Sequence, residues 1–224
     1  MIDPRKAALI IIDMQHGFLD SSSALCVAGA AATVPACTRA LNRARELGMP
    51  VFHAIREYAA DGSDVEAARH RGWVEGGKPV SRACASPRTL DEYEPLAPQP
   101  GDRVIVKPRF SAFFATQLDL VLRRLGVGTV VLIGTTTPNC IRTTCYDALS
   151  LDYNVVLLED GQPITLRPND FQLENRVPVE CTLVDGKGVG DVGYAVLKER
   201  RILGDEGMVI VVLVVDSETG SILH

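Results

Sequence analysis

The chain has 224 residues, of which 46% are hydrophobic and 23% are charged. This composition is typical of one sizeable globular domain with room for an appendage, and it excludes global disorder. The formal net charge is −5 with no basic cluster, which argues against binding nucleic acid through its phosphates. The longest apolar run, at 208–215, is eight residues, too short to span a membrane as a helix.

Apolar runs alternate with helical patterns from the start of the chain. Ala7–Ile12 is a continuous apolar run that ends at Asp13, which predicts a strand buried on both faces of a sheet. The Ala-rich stretch 28–47 predicts a helix, and Val51–Ile55 predicts a second strand. The segment 56–101 is polar and rich in Pro and Gly, and loops of this length are often functional.

The same alternation continues to about residue 160. Strands are predicted at 104–106, 129–133 and 155–158, and helices at 115–125 and 140–151. Strands that alternate with helices favour an α/β fold with a doubly wound parallel sheet.

Three chemically active side chains follow predicted strands. Asp13 follows the first strand, Lys107 the third, and Cys140 lies in the turn after the fourth. Open parallel sheets place their sites at this edge, where a nearby amine and a helix start can lower a thiol pKa toward 7 and a carboxylate can move its proton. Each residue also has a structural interpretation: Cys140 as a small buried hydrophobe, Asp13 as a turn cap and Lys107 as a solvated strand end.

Three stretches resemble, in order, the signature blocks of the isochorismatase-like cysteine hydrolases, a family that includes amidases of small C–N substrates. They are LIIIDMQHGF at 9–18, VIVKPRFSAF at 104–113 and GTTTPNCIRTTCYDAL at 134–149. The resemblance covers about residues 1–160 and implies a three-layer α/β/α fold.

The resemblance also implies roles for individual residues. Cys140 corresponds to the nucleophile, Asp13 to the general base and acid, and Lys107 to the residue that orients both and lowers the thiol pKa. The oxyanion hole would be formed by the backbone N–H groups of Thr136 and Cys140, with a cis peptide bond between Thr135 and Thr136.

Nicotinamidases of this family carry a metal site with an Asp-x-His element after the second strand. At that place this chain has Arg-Glu-Tyr, residues 56–58, and its four histidines do not have the spacing of metal ligands. We therefore expect no catalytic metal and no cofactor. An arginine near the nucleophile would suit a substrate with a carboxylate or a urea-like carbonyl. The candidate substrate contacts are Phe18, Arg56, Tyr58, Trp73, Arg109 and Phe113.

From Gly161 the sequence departs from that family. The block 179–223 is similar to a stretch of ribonuclease J near the end of its metallo-β-lactamase core, without the catalytic metal motif. We therefore predict a fusion of a C-terminally incomplete hydrolase domain, 1–160, and a β-rich segment, 161–224, that replaces the family's last helix and strand. The apolar stretch 208–216 is predicted as a strand that covers the fifth strand or packs in a dimer.

A glycine pattern in that block imitates a dinucleotide-binding fingerprint. Gly188, Gly190 and Gly193 follow a plausible strand, and Asp216 lies 23 residues beyond the last glycine. The similarity to ribonuclease J accounts for these glycines as turn residues, so no nucleotide cofactor is expected.

The predicted function is cysteine-dependent hydrolysis of a small amide, ureide or carbamoyl C–N bond through a thioester on Cys140. The alternatives are a catalytically impaired chimeric protein with a structural or interaction role, and an RNA-processing-associated protein. The expected partners are a small-molecule substrate and a second copy of the chain, with no nucleic acid and no membrane. Six scattered cysteines without a CxxC pair or a secretory signal predict a reduced, cytoplasmic protein.

Overall fold

Five parallel strands form the central sheet. The computed structural model describes residues 3–158 and two further short strands, at 181–184 and 194–197. The strands of the central sheet are β1 (Ala7–Ile12), β2 (Val51–Ile55), β3 (Arg103–Val106), β4 (Thr129–Gly134) and β5 (Asn154–Leu157). They pair in parallel in the order β3-β2-β1-β4-β5, which confirms the predicted doubly wound sheet.

Helices cover both faces of this sheet. Leu9 and Ile11 of β1 pack on one side with Leu41, whereas Ile10 packs on the other with Leu122. This alternation arises because successive side chains of a strand point to opposite faces. In the described residues, no helix has the length and apolar character that crossing a membrane requires. The α-helices are α1 (His16–Leu19), α2 (Val34–Glu46), α3 (Ala67–Glu75), α4 (Leu118–Arg124) and α5 (Arg142–Ser150).

Two helices begin later than the sequence pattern predicts. The stretch 28–47 starts with a 3₁₀ turn, Ala30–Thr33, and only then continues as α2. Ala115, the first residue of the next predicted helix, has a φ of 52° and lies before α4. A left-handed backbone at that residue is incompatible with a right-handed helix, so α4 is shorter than predicted.

The segment 56–101, predicted as a loop, contains α3 and two 3₁₀ turns, Pro87–Leu90 and Glu94–Leu96. Trp73 of α3 is buried, and its indole Nε1 donates a hydrogen bond to the backbone oxygen of Pro79 at 2.9 Å. The backbone N–H of Tyr58 donates to the oxygen of Val80 at 2.8 Å. These contacts fold the segment on itself, and the N–H of Tyr93 donates to the oxygen of Met14 at 3.0 Å, which joins the segment to the chain just after β1.

The two short strands near the C-terminus, β6 (Cys181–Val184) and β7 (Tyr194–Leu197), pair with each other in antiparallel orientation. Both strands lie within the segment 161–224, which the sequence analysis predicts to be β-rich. The predicted strand at 208–216, and with it the proposed cover for β5, lies outside the described residues.

Candidate active site

Asp13 is placed by the end of β1. Its backbone N–H donates to the oxygen of Ala54 at 3.0 Å, so the residue extends the hydrogen-bonded ladder between β1 and β2. Its φ of 53° then turns the chain away from the sheet. The carboxyl group lies at the carboxyl edge of the sheet, and the residue is 1% exposed.

Lys107 reaches the same place from the end of β3. Its backbone N–H donates to the oxygen of Ile55 at 2.9 Å, and its side chain is fully buried. The ammonium Nζ donates to Oδ2 of Asp13 at 2.7 Å and to the backbone oxygen of Arg109 at 3.3 Å. It also lies 3.6 Å from Sγ of Cys140, so the ammonium group contacts both other members of the predicted set.

The turn after β4 depends on close backbone contact with β1. Gly134 has a φ of 116°, and a Cβ at this position would lie 2.2 Å from the backbone oxygen of Ile12. Only glycine therefore fits. The N–H of Thr135 donates to the same oxygen at 2.9 Å, and the bond between Thr135 and Thr136 is cis, as the family resemblance implied.

Cys140 is held in a π-helical turn, Thr137–Ile141, that leads into α5. The N–H of Ile141 donates to the oxygen of Thr136 at 3.2 Å, which closes the wide turn. The predicted helix at 140–151 therefore begins as a π-turn, a feature that recurs at functional sites. The residue is 5% exposed and faces Asp13 and Lys107.

The structure thus brings Asp13, Lys107 and Cys140 into one buried cluster, which we call the edge cluster. The Oδ1 oxygen of Asp13 is buried without a hydrogen-bond partner among the described residues. Because an ionised carboxylate accepts several hydrogen bonds, this second oxygen is free to accept the proton of a neighbouring thiol.

The thiol pKa differs from the expected direction. Burial first and the Asp13 carboxylate second raise the pKa of Cys140 to about 12, and the opposing effect of Lys107 does not compensate for them. The prediction that Lys107 and the helix start would leave a low-pKa thiol is therefore corrected: desolvation outweighs both. The resting thiol keeps its proton at neutral pH, so nucleophilic attack needs a base.

A cavity of about 330 Å³ opens onto this cluster. Asp13 and Cys140 lie in its wall, and so do Thr135 and Thr136 of the turn. A volume of this size is at the lower end for small-molecule sites. The other described residues that line it are Phe18, Ala24, Leu25, Val27, Ala68, Arg69, Gly72, Trp73 and Asn139.

Phe18 and Trp73 therefore lie where the sequence analysis expected substrate contacts, whereas Arg56 and Tyr58 lie outside the described wall of the cavity. Arg56 is fully buried and donates to Oε1 of Glu66 at 2.6 Å and to the Tyr58 hydroxyl oxygen at 3.0 Å. The Tyr58 hydroxyl in turn donates to Oε2 of Glu66 at 2.6 Å. Arg56 is thus used in a network within the protein.

Arg109 and Phe113 also lie outside the described cavity wall. Nη1 of Arg109 donates to the backbone oxygens of Asp64 at 2.5 Å and of Pro108 at 2.7 Å. The Phe113 ring packs against Tyr153, with 5.7 Å between the ring centroids. Both side chains thus make contacts within the protein, and their assignment as substrate contacts stays a prediction.

Two polar residues of the cavity wall, Arg69 and Asn139, were missed by the sequence analysis. Asn139 directly precedes Cys140 in the third signature block, so its position was a usable signal. Arg69 lies in α3, inside a segment predicted as a loop, so there was no helical register from which its direction could be inferred.

No group of three or more His, Cys, Asp or Glu side chains within the described residues is placed to hold a metal ion. After β2, where the family's metal element would lie, Arg56 presents a cation that pairs with Glu66. A guanidinium group is not a metal ligand, so these residues do not fit a metal at that place. The absence of a catalytic metal and of a cofactor stays a prediction.

Together, the parallel sheet and the acid, amine and thiol at its carboxyl edge define an α/β protein with a nucleophilic type of site. The family model described as the isochorismatase domain matches residues 7–169. The chain therefore belongs to the isochorismatase family. The match extends nine residues beyond the boundary predicted at 160.

Relatives and solved structures agree with this assignment. The chain is 39% identical over 159 residues to an Arabidopsis thaliana protein named "Probable inactive nicotinamidase", covering 70% of this chain and 80% of that protein. It is 34% identical to ureidoacrylate amidohydrolase RutB of Stutzerimonas stutzeri, covering 70% of this chain and 69% of that protein.

Among crystal structures, an isochorismatase family protein from Desulfovibrio vulgaris is 44% identical with a TM-score of 0.64, covering 69% of this chain and 80% of that one. N-carbamoylsarcosine amidase from Thermoplasma acidophilum is 29% identical with a TM-score of 0.58, covering 74% of this chain and 90% of that one. The fold is therefore shared with a protein that is named as an amidase.

Proposed function

We propose that the chain is a cysteine-dependent hydrolase of a small amide, ureide or carbamoyl C–N bond. The observation that carries this proposal is the edge cluster in the cavity wall, where Lys107 Nζ lies 2.7 Å from Asp13 and 3.6 Å from Cys140. The relatives named ureidoacrylate amidohydrolase and N-carbamoylsarcosine amidase support the class of bond.

In the first half of the reaction, Sγ of Cys140 attacks the carbonyl carbon while Asp13 takes the thiol proton. Proton transfer keeps the buried cluster at constant net charge, because the anion moves from Asp13 to sulfur and Lys107 stays beside both. The backbone N–H groups of Thr136 and Cys140 would stabilise the oxyanion that forms. Asp13 then donates its proton to the leaving nitrogen, which departs as ammonia or an amine and leaves a thioester.

In the second half, water attacks the thioester carbonyl while Asp13 accepts a proton from it. Collapse of the second tetrahedral intermediate releases the acid and returns the proton to the Cys140 sulfur. Lys107 serves as a positioning residue, because its ammonium group fixes the Asp13 carboxylate and lies against the thiol. The high thiol pKa is compatible with this sequence, since Asp13 supplies the base.

Intact-mass spectrometry during turnover tests the mechanism. Candidate amides and ureides should give an adduct whose mass equals the acyl group, and the adduct should be absent in Cys140→Ala. Cys145→Ala is the matched control, because Cys145 is also buried but lies outside the described cavity wall. Unchanged turnover in Cys140→Ala would refute the thioester.

A catalytically impaired chain is the second candidate, and the name of the Arabidopsis relative favours it. That name concerns nicotinamide hydrolysis by that protein, and this chain has Arg56 where nicotinamidases carry their metal element. Slow labelling of Cys140 does not separate the two candidates, because burial alone makes the thiol slow. The impaired protein would give no adduct with any amide, and Cys140→Ala would change no measured rate.

The division into a hydrolase domain, 1–160, and a ribonuclease J-like segment, 161–224, stays a prediction, and so do the RNA-processing alternative, the cytoplasmic location and the homo-oligomer. The family model continues to residue 169, nine residues past the predicted junction. Limited proteolysis of the full chain tests the division. Rapid cleavage near residue 161 that releases a stable 1–160 fragment would show that the last segment does not complete the fold.

A further inference from the structure

The cavity wall contains one charged side chain without an opposite charge. Among the described residues of the wall, only Asp13 and Arg69 are charged, and Asp13 is paired with Lys107. The guanidinium group of Arg69 forms no hydrogen bond or ion pair that the structure describes. It lies 4.7 Å from the centroid of the Phe110 ring, within the range of a cation–π contact.

The position of Arg69 is well supported although its charge is not compensated. The residue lies in the first turn of α3, and its backbone N–H donates to the oxygen of Glu66 at 2.8 Å. Its neighbours Ala68, Gly72 and Trp73 also line the cavity, so this face of α3 forms one side of it. The helix and the Phe110 ring together hold the guanidinium group at the cavity without using its N–H donors.

The other two arginines near the cluster lie outside the described cavity wall, although Nε and Nη2 of the buried Arg56 have no hydrogen-bond partner among the described residues. Arg56 pairs with Glu66 at 2.6 Å, and Arg109 donates to two backbone oxygens. Beyond Arg69, the described wall offers mainly apolar and uncharged groups, including Phe18, Leu25 and Trp73. A planar guanidinium group with free donors binds carboxylates in a bidentate manner, and it would give this otherwise neutral cavity a preference for anions.

We propose that Arg69 is the specificity-determining residue of the site and binds a carboxylate of the substrate while Cys140 attacks its C–N carbonyl. The substrate class is then a small amide or ureide of an organic acid. This inference rests on the proposed function for its kinetic test, and a second test that needs no turnover separates the two.

The kinetic test compares N-carbamoylglycine with propylurea, a neutral ureide of similar length, by release of ammonia. In Arg69→Gln, kcat/KM for the acid should fall by about tenfold or more, mainly through KM, because one charge-assisted pair is lost. The value for propylurea should change less than about twofold, and Arg69→Lys should restore part of the loss for the acid. Equal losses for both substrates would overturn the assignment.

The matched control is Arg71→Gln on the same helix. The Arg71 side chain is 90% exposed and pairs with Glu75, away from the described cavity wall. Arg71→Gln removes the same charge as Arg69→Gln, so a general effect of the net charge of the protein would appear equally in the two variants. If Arg71→Gln discriminated against the acid as strongly as Arg69→Gln, Arg69 would not be the recognition residue.

The second test uses iodoacetate and iodoacetamide, which alkylate the same thiol and differ in one ionised group. The rate of Cys140 modification is followed by peptide mass spectrometry at pH 9. Arg69→Gln should reduce the iodoacetate rate relative to the iodoacetamide rate by about tenfold, the effect of one charge-assisted hydrogen bond. Because both reagents need the thiolate, any change in the Cys140 pKa cancels in this ratio.

The two experiments fail in different ways. An unchanged alkylation ratio in Arg69→Gln overturns the role of Arg69, whatever the enzyme hydrolyses. A changed ratio together with an unaltered rate in Cys140→Ala would uphold anion binding by Arg69 and refute the proposed function.

Discussion

Two of the buried charged clusters among the described residues differ in one respect: the cavity described above borders the edge cluster and not the other. The inner cluster consists of Arg45, His53, Glu92 and Asp102. Nδ1 of the fully buried His53 lies 2.8 Å from Oε2 of Glu92, and its Nε2 lies 3.3 Å from Oδ2 of Asp102. Arg45 pairs with the same oxygen of Asp102. None of these four residues belongs to the described wall of the cavity, whereas Asp13 and Cys140 of the edge cluster do.

The comparison shows that a perturbed pKa by itself does not identify an active site. Burial raises the pKa of Glu92, with His53 acting in the opposite sense, and burial also raises the pKa of Cys140. What separates the clusters is a thiol beside a carboxylate in the wall of a cavity. We therefore expect changes in the edge cluster to affect chemistry first, and changes in the inner cluster to affect stability first.

The largest expected effect is loss of turnover in Asp13→Asn. The amide keeps the volume of the carboxyl group but cannot accept the thiol proton, so kcat should fall by about 10³-fold. Asp102→Asn makes the same chemical change in the inner cluster and should leave kcat within about threefold of the wild type. Steady-state kinetics with any amide that is turned over measures both, and similar losses would remove the functional distinction between the clusters.

The second effect concerns the cation of each cluster. The side chains of Lys107 and Asp13 are at most 1% exposed, so Lys107→Met leaves the Asp13 carboxyl group buried and unpaired. The free energy of unfolding should therefore fall by about 3 kcal/mol. Arg45 is 18% exposed, and without it Asp102 keeps its contacts with His53 and the N–H of Gln99. Arg45→Met should therefore lower the free energy of unfolding by only about 1 kcal/mol.

Urea unfolding at pH 7 measures the free energy of unfolding of both variants. The slope of this free energy against the urea concentration should stay the same as in the wild type. A larger loss for Arg45→Met than for Lys107→Met would show that the inner cluster carries more of the stability.

The third effect separates thiol reactivity from catalysis. Because the Asp13 carboxylate raises the pKa of Cys140, Asp13→Asn should increase the thiolate fraction and speed the reaction of Cys140 with iodoacetamide at pH 8. In the wild type, the rate should rise about tenfold for each pH unit well below the pKa. The variant should thus be labelled faster while it turns over more slowly. Slower labelling would mean that Asp13 assists alkylation as a base.

The smallest expected effect is the pH dependence of stability in Glu92→Gln. A raised carboxyl pKa means that the stabilising contribution is complete below the ordinary value of 4.5 and is lost as the pH rises through the folded-state pKa. The variant cannot ionise, so its stability relative to the wild type should improve from pH 4.5 toward pH 8.

The control is Glu75→Gln, whose side chain is 62% exposed and pairs with Arg71. Thermal unfolding across this pH range should give a nearly constant difference for the control. A constant difference for Glu92→Gln as well would show that Glu92 is not held in the environment described here.

The central sheet and the edge cluster could be predicted because their signals are local. The run at 7–12 is apolar throughout and the run at 51–55 is apolar except for His53, as is typical of strands buried on both faces, and the carboxyl ends of parallel strands share one edge. Asp13 and Lys107 each follow a strand directly, so strand assignment was enough to place them together. Gly134 similarly marks the turn that delivers Cys140.

Other features of the site depend on contacts between distant segments. Arg56 pairs with Glu66, the residue that directly precedes α3. The sequence contains no signal for that pairing. Trp73 and Arg69 line the cavity because α3 packs back over the edge of the sheet. The segment 56–101 is polar and has only a weak apolar periodicity, so the sequence did not predict this helix.

The sequence by itself determined the succession of strands and helices along the chain, the residues at the strand ends and the members of the edge cluster. Tertiary structure alone decided the protonation state of Cys140 and which arginine faces the cavity. Both depend on contacts between distant segments, since desolvation raises the thiol pKa and the partners of Arg56 and Arg109 hold these side chains outside the described cavity wall. Burial is set by the packing of segments far apart in the chain, which no local pattern encodes.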